Sequence, residues 1–280
     1  MQNRTITEQM CLAFRRHLVA EEKSPVTIEK YLRDVGTFCR FAGDGAVTKE
    51  VMIAYKQRLL ERGYAVRSIN SMLASVNSLL SFLGWQDCRV KSLRIQREAY
   101  RSESKELTKA EYFRLLDAAQ KPWLRLVLET ICATGIRVSE VRFFTVEAIQ
   151  AGEITVQCKS KIRRILIPGK LRRRLMAFAK QEKIHSGPIF RGRNGKPLDR
   201  SRIWALMKAL CGMANVKKSK VFPHNLRKLF ARTFYSQDKD IAKLADILGH
   251  SNINTTRIYI VSTGSEHRRQ IERLGLVSRA

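Results

Sequence analysis

Three short stretches in the second half of the chain carry side chains suited to handling a phosphate. In ATGIRVSEV, residues 133–141, a glycine stop is followed by Arg137 and, three residues on, Glu140, a spacing at which the two can pair. In PHNLRKLFA, residues 223–231, Pro223 marks a helix start, so His224 and Arg227 share a face. An arginine offers a planar fork to phosphate oxygens, and an imidazole can move a proton near neutral pH. In ILGHSNINTTRIYI, residues 247–260, His250 follows a helix-like apolar run that stops at Gly249, and Tyr259 stands between Ile258 and Ile260. A phenol ionises only at about pH 10, so a nucleophilic tyrosine needs cations or a base beside it. Taken singly, each stretch has a plain structural reading: a helix-terminal ion pair, an exposed histidine beside a surface arginine, a packed aromatic.

The elements that must position these residues are mostly helices. In SPVTIEKYLRDVGTFCRFAG, Ser24 is an N-cap, Pro25 the first helical residue, and Ile28, Leu32, Val35 and Phe38 recur at helical spacing before Gly43. VMIAYKQRLLERG is a second such segment, and Ile69, Leu73, Val76, Leu80 and Leu83 mark a third. Their 4-3-4-3 spacing also suits a coiled coil, but the run is too short for one and fits a bundle core better. Apolar periodicity then vanishes over residues 94–106, RIQREAYRSESKE, as in an extended linker. A helix restarts with Thr108 and Glu111 in capping-box spacing, and WLRLVLETICATG ends a strongly apolar one at Gly135. The period changes to two in GEITVQCKSKIRRILIP: Ile154, Val156 and Cys158 alternate, the chain turns through Lys159 to Lys161, and Ile165 and Ile167 return. Further helical segments follow. The expected fold is mainly α with a small antiparallel β-sheet (α+β): an N-terminal helical bundle at 1–93, a linker at 94–106, and a C-terminal domain at 107–280.

Composition points to the partner. Lys and Arg number 53 against 25 Asp and Glu, a formal charge of +28 spread over 280 residues, which favours a polyanion bound with strong salt dependence. Nucleic acid fits better than anionic lipid. No stretch approaches the roughly 18 apolar residues of a membrane span, and MQNRTITEQM lacks a signal-peptide core. The six cysteines are dispersed, with no metal-ligand spacing, as expected of reduced thiols in a cytoplasmic protein.

Arg137, a hairpin-turn lysine, His224, Arg227, His250 and Tyr259 occur in an order that resembles the tyrosine recombinase (lambda-integrase) family. TGIRVSE is similar to that family's first-arginine box, HNLRK to its His-x-x-Arg box, and LGHSNINTTRIYI to its His-to-Tyr box. The bundle is similar to the family's core-binding domain. With nothing ahead of it the layout looks like the compact type, Xer-like or a mobile-element integrase. The resemblance implies cleavage and rejoining of DNA through a 3′-phosphotyrosyl bond on Tyr259, with neither metal nor nucleotide cofactor. It also implies that Arg137 and Arg227 stabilise the transition state, as guanidinium forks can. His224 would accept the tyrosine proton, His250 would hydrogen-bond the phosphate, and a lysine would protonate the leaving oxygen. Lys159 fits the turn best and Lys161 is the alternative, because the glycine-rich turn usual in the family is absent. Lys228 stands where many relatives have a second histidine, and is assigned to DNA contact or structure. Glu140 would support Arg137 from behind. Ile258 and Ile260 would pack and turn Tyr259 toward the phosphate. The implied partners are double-stranded DNA recombination sites, bound by a homo-tetramer on two sites that would be nucleoid-associated when engaged. An accessory excision or directionality factor is an optional addition. A tail helix through Ile271, Leu274 and Val277 would dock in cis or onto a neighbouring subunit. A DNA-binding regulator without cleavage, or a lone topoisomerase, would use the same fold.

Overall fold

The computed structural model describes residues 4–95, 103–158, 161–192, 194–261 and 264–274. It divides into two compact units, residues 1–97 and 98–280. The described residues of unit one form four α-helices: α1 (Glu8–Ala20), α2 (Pro25–Ala42), α3 (Lys49–Glu61) and α4 (Val66–Phe82). Ser24 caps α2 by accepting from the Thr27 N–H, Pro25 occupies its first turn, and Gly43 ends it at a φ of +59°. The α4 seam is as expected, with Ile69, Leu73, Val76 and Leu80 fully buried, although Leu83 is only partly covered. Two packed clusters, one around Phe38 and Tyr55 and one around Phe14 and Leu18, make this unit's core.

Unit two is helical around one hairpin. Its helices are α5 (Lys109–Ala118), α6 (Pro122–Thr134), α7 (Val146–Ala151), α8 (Gly169–Gln181), α9 (Arg200–Ala209), α10 (Pro223–Gln237), α11 (Ile241–Leu248), α12 (Ile253–Ile260) and α13 (Gly264–Glu272). The capping box at Thr108 and Glu111 forms with both of its hydrogen bonds. Strands β1 (Glu153–Cys158) and β2 (Lys161–Leu166) pair antiparallel from Glu153↔Leu166 to Cys158↔Lys161. Ile154, Val156, Ile165 and Ile167 face the core while Ile162 and Leu166 face out, the alternation that a half-covered ribbon requires. Two clusters fill this unit, a large one from Leu107 to Leu229 and a small one of Ala231, Leu244, Leu248 and Tyr259. The small cluster matters most here, because it seats the tyrosine. Of the expected connector, residues 96–102 lie outside the described residues, residues 103–105 form a 3₁₀ turn, and Glu106 is buried. Among the described residues no helix is long and apolar enough to cross a membrane.

Candidate active site

The site forms where α6, α10, α11 and α12 converge, and two glycines make the convergence possible. Gly135 ends α6 in the left-handed region, and a Cβ there would collide with the Phe230 ring. Gly249 ends α11 in the same way, with the Cδ of Arg163 only 2.5 Å from where its Cβ would be. Backbone and arginine stems therefore approach more closely than any other residue would allow.

Arg137 follows Gly135 at the head of a 3₁₀ turn, Val138–Phe143. Its backbone N–H donates to Glu140 Oε2 at 2.8 Å and its Nη1 to Oε1 at 3.0 Å. Glu140 is 1% exposed, and the Arg137 side chain stays 41% exposed. Burial alone would raise the Glu140 carboxyl; the Arg137 N–H, Arg163 and the Arg137 guanidinium outweigh it and hold it below its ordinary value. Sequence reasoning had Glu140 in this supporting place.

It missed Arg163. From β2 this side chain runs over Gly249, and its guanidinium pairs with Glu140 Oε2 and donates to Ile247 O at 2.8 Å. A signal was present: Arg163 shares strand parity with the buried Ile165 and Ile167, and a charge on the inward face must have a buried partner. Parity shows that a partner exists but not which one, and Glu140 lies 23 residues away.

Arg227 is 1% exposed, the largest of the fully buried side chains. Its Nη1 donates to Gly135 O, its Nη2 donates to Leu248 O at 2.6 Å, and its Nε is buried with no partner among the described residues. Those carbonyls terminate α6 and α11, so the negative ends of two helix dipoles hold a charge that no carboxylate pairs among the described residues. Burial, then the Arg137 charge, push this guanidinium down to about 10, still charged at neutral pH. Three consecutive carbonyls closing α11 thus each receive one arginine: Ile247 takes Arg163, Leu248 takes Arg227, and Gly249 takes Arg137 at 3.5 Å. The end of α11 gathers the cations, and Glu140 is the one carboxylate ion-paired to them among the described residues. Such a cluster is built for an anion.

His250 follows directly. Its Nε2 lies 3.0 Å from Arg227 Nη2 and its Nδ1 2.9 Å from Thr256 Oγ1. A guanidinium only donates, so Nε2 accepts, and the ring is neutral with its proton on Nδ1, directed at the buried Thr256. Burial, then Arg227, Arg137, Arg163 and His224, push His250 down to about 4. Thr256 is a second group that sequence reasoning passed over; it looks like any helical threonine until the ring it orients is placed.

Tyr259 sits on α12, 5% exposed, packed with Ala231, Leu244 and Leu248. His224, on the first turn of α10, and His250 both meet its ring edge-on with centroids 5.1 Å away, at 83° and 74°. The expectation that both flanking isoleucines pack is corrected. Ile258 is 45% exposed and only Ile260 packs against the cluster. Successive helix residues lie about 100° apart, so a buried Tyr259 cannot keep both neighbours buried. Lys159 lies outside the described residues, and Lys161 closes the strand ladder. Lys228 is tied to Glu106 at 3.6 Å, a structural use of that position.

Residues 105–266 match the family model described as phage integrase family, and residues 12–87 match its N-terminal SAM-like domain. Tyrosine recombinase XerA of Pyrococcus furiosus is 27% identical, covering 99% of this chain and 98% of that protein. Tyrosine recombinase XerD of Halalkalibacterium halodurans is 29% identical, covering 86% and 89%. Among solved structures, a lambda integrase dimer bound to a COC′ core site superposes with a TM-score of 0.75 at 17% identity, covering 92% of this chain and 96% of that one. A lambda integrase tetramer bound to a Holliday junction gives 0.72 at 19% identity, over 91% and 77% of the two chains. These two structures share the fold.

Proposed function

The chain belongs to the phage integrase family of tyrosine recombinases, and on that premise we propose that it cuts and rejoins duplex DNA at specific sites, Tyr259 being the nucleophile. The observation that carries this reading is the seating of Tyr259 between two imidazoles, one of them bonded to a buried guanidinium that no carboxylate pairs among the described residues. The tyrosine oxygen attacks the phosphorus, the 5′-oxygen leaves, and a 3′-phosphotyrosyl bond holds the strand until a second 5′-hydroxyl reverses the step. Arg137 and Arg227 face the non-bridging oxygens as their charge grows. His224, whose ring meets that of Tyr259 edge-on, receives the phenol proton. His250 reaches its own phosphate contact when a phosphate oxygen replaces Arg227 at Nε2, and the phosphate charge favours the protonated ring that this contact needs.

A lysine of the hairpin, Lys159 before Lys161, donates the proton to the leaving oxygen. By likeness to the lambda integrase tetramer on a Holliday junction, the working form is a homo-tetramer on two duplex sites, acting at DNA in the cytoplasm. Exposed Ile271 and Leu274 on the tail support docking of that segment on a neighbouring subunit. Residues 1–93 and residues 107–280 would each contact the core site. A Xer-type role or a mobile-element role uses this same chemistry.

The test is a nicked suicide duplex carrying a site recovered by binding selection, incubated in EDTA. Wild-type protein should give an SDS-stable adduct; tight binding with no adduct would mean the chain is a DNA-binding regulator. The lysines separate on the same DNA. Replacing the acid should slow cleavage roughly 10²–10⁴-fold, and a 5′-bridging sulfur, which leaves without a proton, should restore the rate. Lys159→Ala is expected to show both effects and Lys161→Ala neither; the reverse pattern moves the role to Lys161.

A further inference from the structure

Helix α10 carries the site on one face and is fastened on another. His224, Arg227 and Ala231 point toward the tyrosine cluster, whereas Asn225, Lys228 and Arg232 share a face about 100° round the axis. Residues 105–107 lie along that second face. The Lys105 carbonyl accepts from Asn225 Nδ2 at 2.8 Å, and the same Nδ2 donates to Lys220 O at 2.8 Å. Glu106 places Oε1 3.6 Å from Lys228 Nζ and Oε2 3.3 Å from Arg232 Nη1. The Leu107 carbonyl accepts from Arg232 Nη2 at 2.6 Å. Glu106, Leu107 and Asn225 are all buried. Three consecutive residues are thus bonded to helix positions spaced i, i+3 and i+7, which fixes both the height and the rotation of α10.

The first turn of α10 has no side-chain cap of its own; Phe222 stands at the N-cap position. Its alignment rests on its apolar packing, on the Asn225 bridge and on the two cations drawn to Glu106. We propose that Glu106 is a positioning residue for strand cutting: by holding Lys228 and Arg232 it sets where His224 and Arg227 point. This gives Lys228 its task at the position where many relatives have histidine. A small rotation of α10 moves both site residues together, and misplacement of about 1 Å at a reacting group costs on the order of 10²-fold in rate. The proposal rests on the recombinase reading for its effect on rate, but not for its effect on geometry.

Two readouts keep those apart. In full-length Glu106→Gln, single-turnover cleavage of prebound suicide DNA should fall about tenfold or more at unchanged DNA affinity. The ring resonances of His224 and His250 should shift while those of His17 and His185 stay. Lys228→Gln, which leaves the Glu106–Arg232 pair in place, should do the same to a smaller degree, and the double variant should fall short of the product of the two. A wild-type cleavage rate in the bound complex overturns the proposal. So do unmoved His224 and His250 resonances, or a loss of rate no larger than the loss of folded protein in both single variants. If the wild type cuts no DNA the recombinase reading fails, and the histidine resonances still decide whether Glu106 orients α10.

Discussion

Tyr259→Phe should abolish the covalent adduct on suicide DNA while leaving DNA affinity within about twofold and the fold intact. The substitution removes the one atom able to bond phosphorus and keeps the ring that Ala231, Leu244 and Leu248 enclose. Both imidazoles meet that ring edge-on, a contact phenylalanine reproduces. Melting of the free protein should therefore shift by less than about 1 kcal/mol, the scale for losing one hydroxyl from a packed aromatic. Gel assay for the adduct and a binding titration on the same DNA check the two halves. An adduct of wild-type size and rate in the phenylalanine variant would remove Tyr259 from the mechanism, and the phosphate cluster would need another nucleophile.

What could be read from the sequence, and what could not, divides along a physical line. Signals that act within a few residues were legible: the Ser24 cap, the Thr108–Glu111 box, the glycine stops at 135 and 249, and the switch to period two at Ile154. So were His224 and Arg227, because a helix start and a three-residue spacing put them together. Groups whose meaning is a partner elsewhere were not. Arg163 shows its inward parity but not Glu140, Thr256 shows nothing until His250 turns its Nδ1 toward it, and Glu106 looks like linker charge until α10 packs beside it. The packing expected of both Ile258 and Ile260 failed for a different reason: the segment is helical, where a buried Tyr259 and both its neighbours cannot share one face.

Arg227 should be the least replaceable group after the tyrosine. Arg227→Lys keeps the charge but not the fork: an ammonium on a shorter reach cannot hold Gly135 O, Leu248 O and the His250 ring and still present a donor to a phosphate. Loss of one preorganised donor aimed at developing charge costs roughly 10²–10³-fold, so single-turnover cleavage should drop by at least that much. Arg227→Met removes the charge as well and should go lower. It also leaves two helix-terminal carbonyls uncapped, a stability cost of about 1–3 kcal/mol that denaturation of the free protein would show. The same variant reports on His250 without any DNA. In the wild type, burial and then Arg227 lead the causes that push this ring down to about 4, below the value of about 6.5 it has unfolded. The sign follows: the unfolded chain takes up the proton first, so stability is lost as the pH falls from about 6.5 through 4. Without the Arg227 charge the His250 midpoint should rise toward its unfolded value and the acid-side loss should shrink. A ring titration by NMR that finds the midpoint unmoved in Arg227→Met would show that burial and the remaining cations set it, and that the 3.0 Å contact is not what holds His250 in its neutral form.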